Sequence, residues 1–113
     1  MGLDVSHDCW SGGYGSFYVW RKELAKAASM PPLERMVGFN GDIEWKWLKE
    51  DALHILLDHS DCDDIIRVRH CKCLADRLAH LLCHIDVDWR ARTQQFINGL
   101  KLADSLNEDV EFC

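Results

Sequence analysis

Between residues 70 and 85 of the chain, Cys71, Leu74, Leu78, Leu81, Leu82 and Ile85 recur at spacings of three and four. An α-helix turns about 100° per residue, so that spacing collects the apolar side chains on one face. A face so rich in leucine leaves water only by packing against other elements. Two more segments share the period. Phe17, Trp20, Leu24 and Ala27 make a stripe from Ser16 to about Ser29, with Arg21, Lys22, Glu23 and Lys26 on the side expected to face solvent. That helix stops at Met30-Pro31-Pro32, because proline has no amide proton and restricts the residue before it. Trp89, Thr93, Phe96, Ile97, Leu100 and Ala103 make the other stripe, in a helix predicted to be capped by Asp86 or Asp88 and to end near Asn107. Residues 48–58 read as a shorter helix with Leu53, Leu56 and Leu57 inward.

The two chain ends have a different period. Leu3 and Val5 alternate with Asp4 and Ser6, and Val110 and Phe112 alternate with Asp109 and Glu111, which is the pattern of short strands with one buried face. Each strand alone would leave backbone groups unpaired, so the two are expected to pair with each other. Residues 7–16 read as a loop, with Gly12-Gly13 ending any strand, and Ile65, Ile66 and Val68 as a brief extended piece. The expected fold is a helix-dominated α+β domain of about four helices with a short two-stranded pairing of the N- and C-terminal segments. A length of 113 residues makes residues 1–113 a single domain.

Charge and apolar content exclude several function classes. With 13 Lys+Arg against 19 Asp+Glu, the net charge of −6 and the lack of a basic cluster argue against direct binding to nucleic acid. No apolar run reaches the roughly 18 to 20 residues of a membrane span, and the first residues lack the basic-then-apolar pattern of a secretory signal, so no membrane partner and a cytoplasmic location are expected. The six cysteines then read as reduced thiols. Cys71 and Cys73 would point about 200° apart on a helix and could not bridge each other.

Four groups of residues carry candidate chemistry. His80 and His84 stand four apart on the helical stretch, a spacing that lets two imidazoles meet one zinc ion, with Cys73 or Cys83 as further ligands. The absence of close Cys-x2-Cys pairs favours no cofactor over zinc. Asp58, Asp61, Asp63 and Asp64 form an acidic loop, but Ile65, Ile66 and Lys72 occupy positions where an EF-hand loop would need a ligand, a glycine and a glutamate. Ser6, His7, His59 and Asp61 would form a polar cluster if their loops converge; no nucleophile elbow or Cys-His signature accompanies them, which argues against an enzyme. Trp45 and Trp47 flank Lys46 and share a face in an extended segment, as interface anchors do, and Trp10 and Tyr14 lie in a glycine-rich loop.

Gly2-Leu3-Asp4-Val5-Ser6-His7 resembles the opening of a family of uncharacterised small proteins from bacteria and their phages, which start with Gly-x-Asp-Val-Ser-His. The likeness continues in patches through Trp10, Gly13-Tyr14, Phe17, Trp20-Arg21, His59-Ser60-Asp61-Cys62-Asp63, Leu74-Ala75-Asp76-Arg77-Leu78, Trp89, Thr93, Phe96 and Asp109-Val110-Glu111-Phe112. The family pattern has glycine where this chain has Asp64. The resemblance implies origin and fold and brings no assigned activity. Together with small size and negative charge, it leads to the expectation of a non-enzymatic phage or prophage accessory protein, for example an anti-defence inhibitor in the host cytoplasm. Such a protein would bind a host protein with a basic surface through Asp58, Asp61, Asp63, Asp64, Trp45 and Trp47. The alternative is a zinc-binding protein or metallohydrolase using residues 54–84.

Overall fold

The computed structural model describes residues 2–36, 41–44, 52–57 and 65–112. The expected binding residues Trp45, Trp47, Asp58, Asp61, Asp63 and Asp64, and His59 of the polar cluster, lie outside the described residues. Strands β1 (Gly2–Val5) and β2 (Trp10–Gly13) come first, followed by helix α1 (Tyr14–Ala27), a 3-10 turn (Leu33–Arg35) and the single-turn helix α2 (His54–Leu57). Strand β3 (Ile65–Ile66), helix α3 (Val68–Leu81), a second 3-10 turn (Leu82–His84), helix α4 (Val87–Leu106) and strand β4 (Val110–Glu111) complete the order. The class is α+β and helix-dominated, with three helices longer than one turn among the described residues rather than about four.

Strand pairing departs from the expectation. β1 pairs antiparallel with β2, Val5 opposite Trp10, and β3 pairs antiparallel with β4, Ile66 opposite Val110. Among the described residues the two terminal segments form no ladder with each other and share one β-bridge, between Val5 and Phe112, beside the Ser6 N–H donating to the Glu111 carbonyl at 2.8 Å. Local pairing is the physical reason. A hairpin closed over residues 6–9 needs far less loop-closure entropy than a ladder between the two ends of the chain, and residues 10–13, read as loop, are its second strand, which ends at Gly12-Gly13. Gly12 leaves room for Arg92: a Cβ there would sit 3.2 Å from its Nη1.

The helix stripes pack as their period demands. Phe17, Trp20 and Leu24 of α1, Cys71, Leu74, Leu78 and Leu81 of α3, and Phe96, Ile97, Leu100 and Ala103 of α4 are buried together with Leu53, Leu56 and Leu57. Trp10, which the sequence placed in a glycine-rich loop, is 1% exposed and stacks on Trp20 at a centroid distance of 5.2 Å. The Arg92 guanidinium covers its other side, 4.4 Å from the ring centroid. Trp20 also meets Phe96 at 4.9 Å, and its indole N–H donates to the Thr93 hydroxyl at 2.9 Å, which in turn donates to the Trp89 carbonyl. Arg21, expected on the solvated side of α1, is buried: its guanidinium lies 4.8 Å from the Phe17 ring centroid and reaches the Leu56 carbonyl.

Helix ends explain how the chain turns back on itself. α1 ends before the prolines, with Ser29 at φ 59° and with the Ser29 and Met30 amides donating to the Lys26 and Ala25 carbonyls. α4 starts where Asp86 accepts from the Asp88 amide, as expected of a capping aspartate. It ends at Asn107, φ 56°, with the Asn107 and Glu108 amides donating to the Asp104 and Ala103 carbonyls. A left-handed residue followed by this pair of bonds reverses the chain over the last helical turn. The reversal delivers Glu108 to the N-terminal hairpin, Asp109 to the start of α3, where it accepts from the Val68 amide at 2.8 Å, and Val110 to β3.

Candidate functional site

The turn between β1 and β2 is made by Ser6, His7, Asp8 and Cys9, closed by the Cys9 amide donating to the Ser6 carbonyl at 3.2 Å. His7 and Asp8 both have φ 59°. Positive φ at both central residues is the geometry that fits the twist of a two-residue hairpin loop, and glycine or asparagine normally supplies it. For two residues with larger side chains the left-handed region costs about 1 to 2 kcal/mol each. Such a conformation persists where the surroundings over-determine it, and here they do. Gln95 of α4 donates to the Asp8 carbonyl at 2.9 Å, and Gly99 lets the turn rest on the helix. A Cβ at Gly99 would stand 2.3 Å from the Cys9 sulfur and 2.9 Å from the His7 carbonyl oxygen.

The imidazole of His7 is held at both nitrogens. Nδ1 lies 2.9 Å from the Ser6 hydroxyl and Nε2 lies 2.9 Å from the Glu108 carboxylate. An ionised carboxylate only accepts, so Nε2 carries the proton, and in the neutral ring Nδ1 is then the acceptor of the Ser6 hydroxyl proton. The Ser6 oxygen also accepts from the Glu111 amide at 2.8 Å. The three side chains therefore form a directional chain from hydroxyl to imidazole to carboxylate. His7 is largely covered, with 12% of its side chain exposed, whereas Glu108 is 57% exposed. Beside His7 a surface depression of about 520 Å3 is lined by Asp8, Ala91, Gln94, Asn98 and Leu102 among others.

Of the expected polar cluster, Ser6 and His7 are hydrogen-bonded to each other and His7 to Glu108, whereas His59 and Asp61 lie outside the described residues. Glu108 escaped the sequence reading because 101 residues separate it from His7. The one local signal was Asn107, a residue that tolerates the left-handed conformation at a helix end and so aims its successor back along the helix.

The zinc alternative does not assemble among the described residues. No group of three or more His, Cys, Asp or Glu side chains is placed there to hold a metal ion. The α-helix tightens to 3-10 geometry at Leu82, which breaks the i, i+4 phase between His80 and His84. His80 Nδ1 donates to the Asp76 carbonyl at 2.8 Å, and the Cys73 and Cys83 sulfhydryls donate to the His70 and His80 carbonyls. Cys9, Cys71, Cys73 and Cys83 are free thiols. Burial, reinforced by Cys71 and Asp8, pushes the Cys9 thiol up to about 12, and burial with Asp104, Asp109 and Cys73 nearby pushes Cys71 to about 11. Neither is a thiolate near neutral pH.

A second concavity, also about 520 Å3, runs between α1 and the start of α4. Val19, Met30, Pro32 and Trp89 give it apolar walls, and Val19 is 46% exposed. Lys22, Glu23, Lys26 and Glu34 stand around it, with the Lys22 ammonium paired to the Glu34 carboxylate. That contact holds the Glu34 carboxyl below the usual carboxylate range and raises Lys22. No described helix is long and apolar enough to cross a membrane. No protein-family model, curated protein or solved structure matches the chain.

Proposed function

We propose that the protein is a small acidic accessory module that works by binding a partner protein. The observation that carries this reading is the α1–α4 groove, in which Val19, Met30, Pro32 and Trp89 form an apolar floor inside a charged rim. An exposed valine beside a half-buried tryptophan, ringed by charges, is the arrangement of an interface centre that excludes water once a partner side chain enters. The net charge of −6 steers such a module toward a basic surface. In this reading the acidic stretch Asp58, Asp61, Asp63 and Asp64 contributes to steering, and Trp45 and Trp47 supply a second anchor. The resemblance to small proteins of bacteria and phages supports a host macromolecule as the partner class and modulation of that host protein as the outcome.

The test begins with capture from host lysate at low salt, using the wild-type chain and the variant Val19→Asp, which places a carboxylate in the groove. A specific protein retained by the wild type and lost by a still-folded variant is the expected result. With the partner purified, Asp61→Asn/Asp63→Asn should slow association and flatten its salt dependence, and Trp89→Ala should speed dissociation. A partner retained equally by Val19→Asp would remove the groove from the interface.

A further inference from the structure

We propose that Ser6 is a covalent nucleophile, with His7 as its base and Glu108 as a positioning residue, acting on small carboxylic esters. The inference goes beyond the binding reading and stands on different residues. Three features of the hairpin turn carry it. The hydrogen bonds from Ser6 to His7 and from His7 to Glu108, both 2.9 Å, run in the one direction that lets a hydroxyl proton pass to an imidazole whose other N–H is held by a carboxylate. The Ser6 oxygen accepts one further bond, from the Glu111 amide, which leaves it a lone pair for attack. Finally, the main-chain N–H groups of His7 and Asp8 donate to no acceptor among the described residues, so the strained turn offers two amides to an oxygen on which charge develops. The neighbouring depression has Ala91 and Leu102 for an acyl chain and Gln94 and Asn98 as amide groups at its wall.

The chemistry closes without a co-reactant other than water. The Ser6 oxygen bonds to the ester carbonyl carbon while its proton passes to His7 Nδ1, and the imidazolium is stabilised by Glu108. The ester C–O bond breaks, and the departing alkoxide takes that proton from His7 and leaves as an alcohol. Water then adds to the acyl carbon and gives a proton to His7; the carboxylic acid departs as the Ser6–acyl bond breaks and the proton returns to the Ser6 oxygen.

The full-length chain is treated with an alkyl fluorophosphonate and, separately, with p-nitrophenyl butyrate, and adducts are located by peptide mass spectrometry. One adduct on the peptide carrying Ser6 is expected, absent in Ser6→Ala and formed about 100-fold more slowly in His7→Gln. Glu108→Gln should slow labelling about tenfold and Glu108→Asp should restore part of the rate, a rescue that a role in folding alone would not produce. Because Ser6→Ala also removes the acceptor of the Glu111 amide, Ser6→Cys provides a variant that keeps an acceptor there. The thiol introduced by Ser6→Cys should react with iodoacetamide at neutral pH faster than the exposed Cys73 and Cys83. No adduct on wild-type Ser6, a labelling rate indifferent to His7→Gln, or an introduced thiol no faster than Cys73 and Cys83 would each overturn the proposal and leave the cluster as a tie between the chain ends.

Discussion

The interior and the seam between the chain ends are held together by different forces. Inside, Trp10, Phe17, Trp20, Phe96 and Phe112 touch ring to ring at centroid distances of 4.9 to 5.9 Å, and the stabilisation comes from apolar area removed from water. At the seam, Ser6, His7, Glu108 and Glu111 are joined by hydrogen bonds of 2.8 to 2.9 Å around a turn with two left-handed residues, and Asp109 next to them accepts from the Val68 amide. Apolar packing tolerates exchange of one shape for a similar one, because it is not directional. The seam does not, since each of its bonds depends on a particular donor and acceptor. Strain and chemistry accordingly collect in the seam, and stability collects in the interior.

The sharpest way to break that contrast is to empty the interior. Trp20→Ala removes the ring that contacts Trp10, Phe17 and Phe96 and the donor to the Thr93 hydroxyl, and should cost about 3 to 5 kcal/mol, read from the urea unfolding midpoint. An effect under about 1 kcal/mol would mean that the aromatic cluster is not what holds the helices. Gly99→Ala tests the boundary between the two regions. Its Cβ collides with the Cys9 sulfur and the His7 carbonyl, so the loss should be about 1 to 3 kcal/mol, with amide exchange in residues 6–9 accelerated more than in α3.

Smaller effects lie in the seam and next to it. Asp109→Ala removes the acceptor of the Val68 amide and the partner of Arg67, and should lower stability by about 1 kcal/mol without changing the unfolding slope. Asp8→Gly should go the other way. Relief of the left-handed conformation, about 1 to 2 kcal/mol, exceeds the extra chain entropy of glycine, about 0.5 to 1 kcal/mol, so the melting temperature should rise slightly. The buried thiols set the last test. Their raised pKa means that the folded state favours the neutral form: this contribution is complete below about pH 9 and is lost as pH rises toward 12 for Cys9 and toward 11 for Cys71. At pH 8 iodoacetamide should therefore label Cys73 and Cys83 and spare Cys9 and Cys71.

The helices and most of the interior were legible in the local chain. Spacings of three and four marked the buried residues of α1, α3 and α4, Asp86 and Asn107 marked both ends of α4, and Ile65–Ile66 was recognisable as extended, because periodicity and capping act over one or two turns of the local chain. The remaining features depend on residues far apart in sequence. Alternation at the chain ends showed that strands form there but not which strands pair: β1 went to β2 because the loop of residues 6–9 closes at low entropic cost, and β4 went to β3 because the reversal at Asn107 returns the chain to the start of α3. Arg21 read as a surface residue until Phe17 and Leu56 received it, and the cover of Arg92 over Trp10 was not legible at all. Glu108 joined Ser6 and His7 through the reversal at Asn107, and the groove beside Trp89 is lined by residues of α1, the segment after it and the start of α4, which are far apart in sequence. A local pattern states which face of an element avoids water; which polar groups meet depends on how the elements are placed, and that is settled only when all of them pack at once.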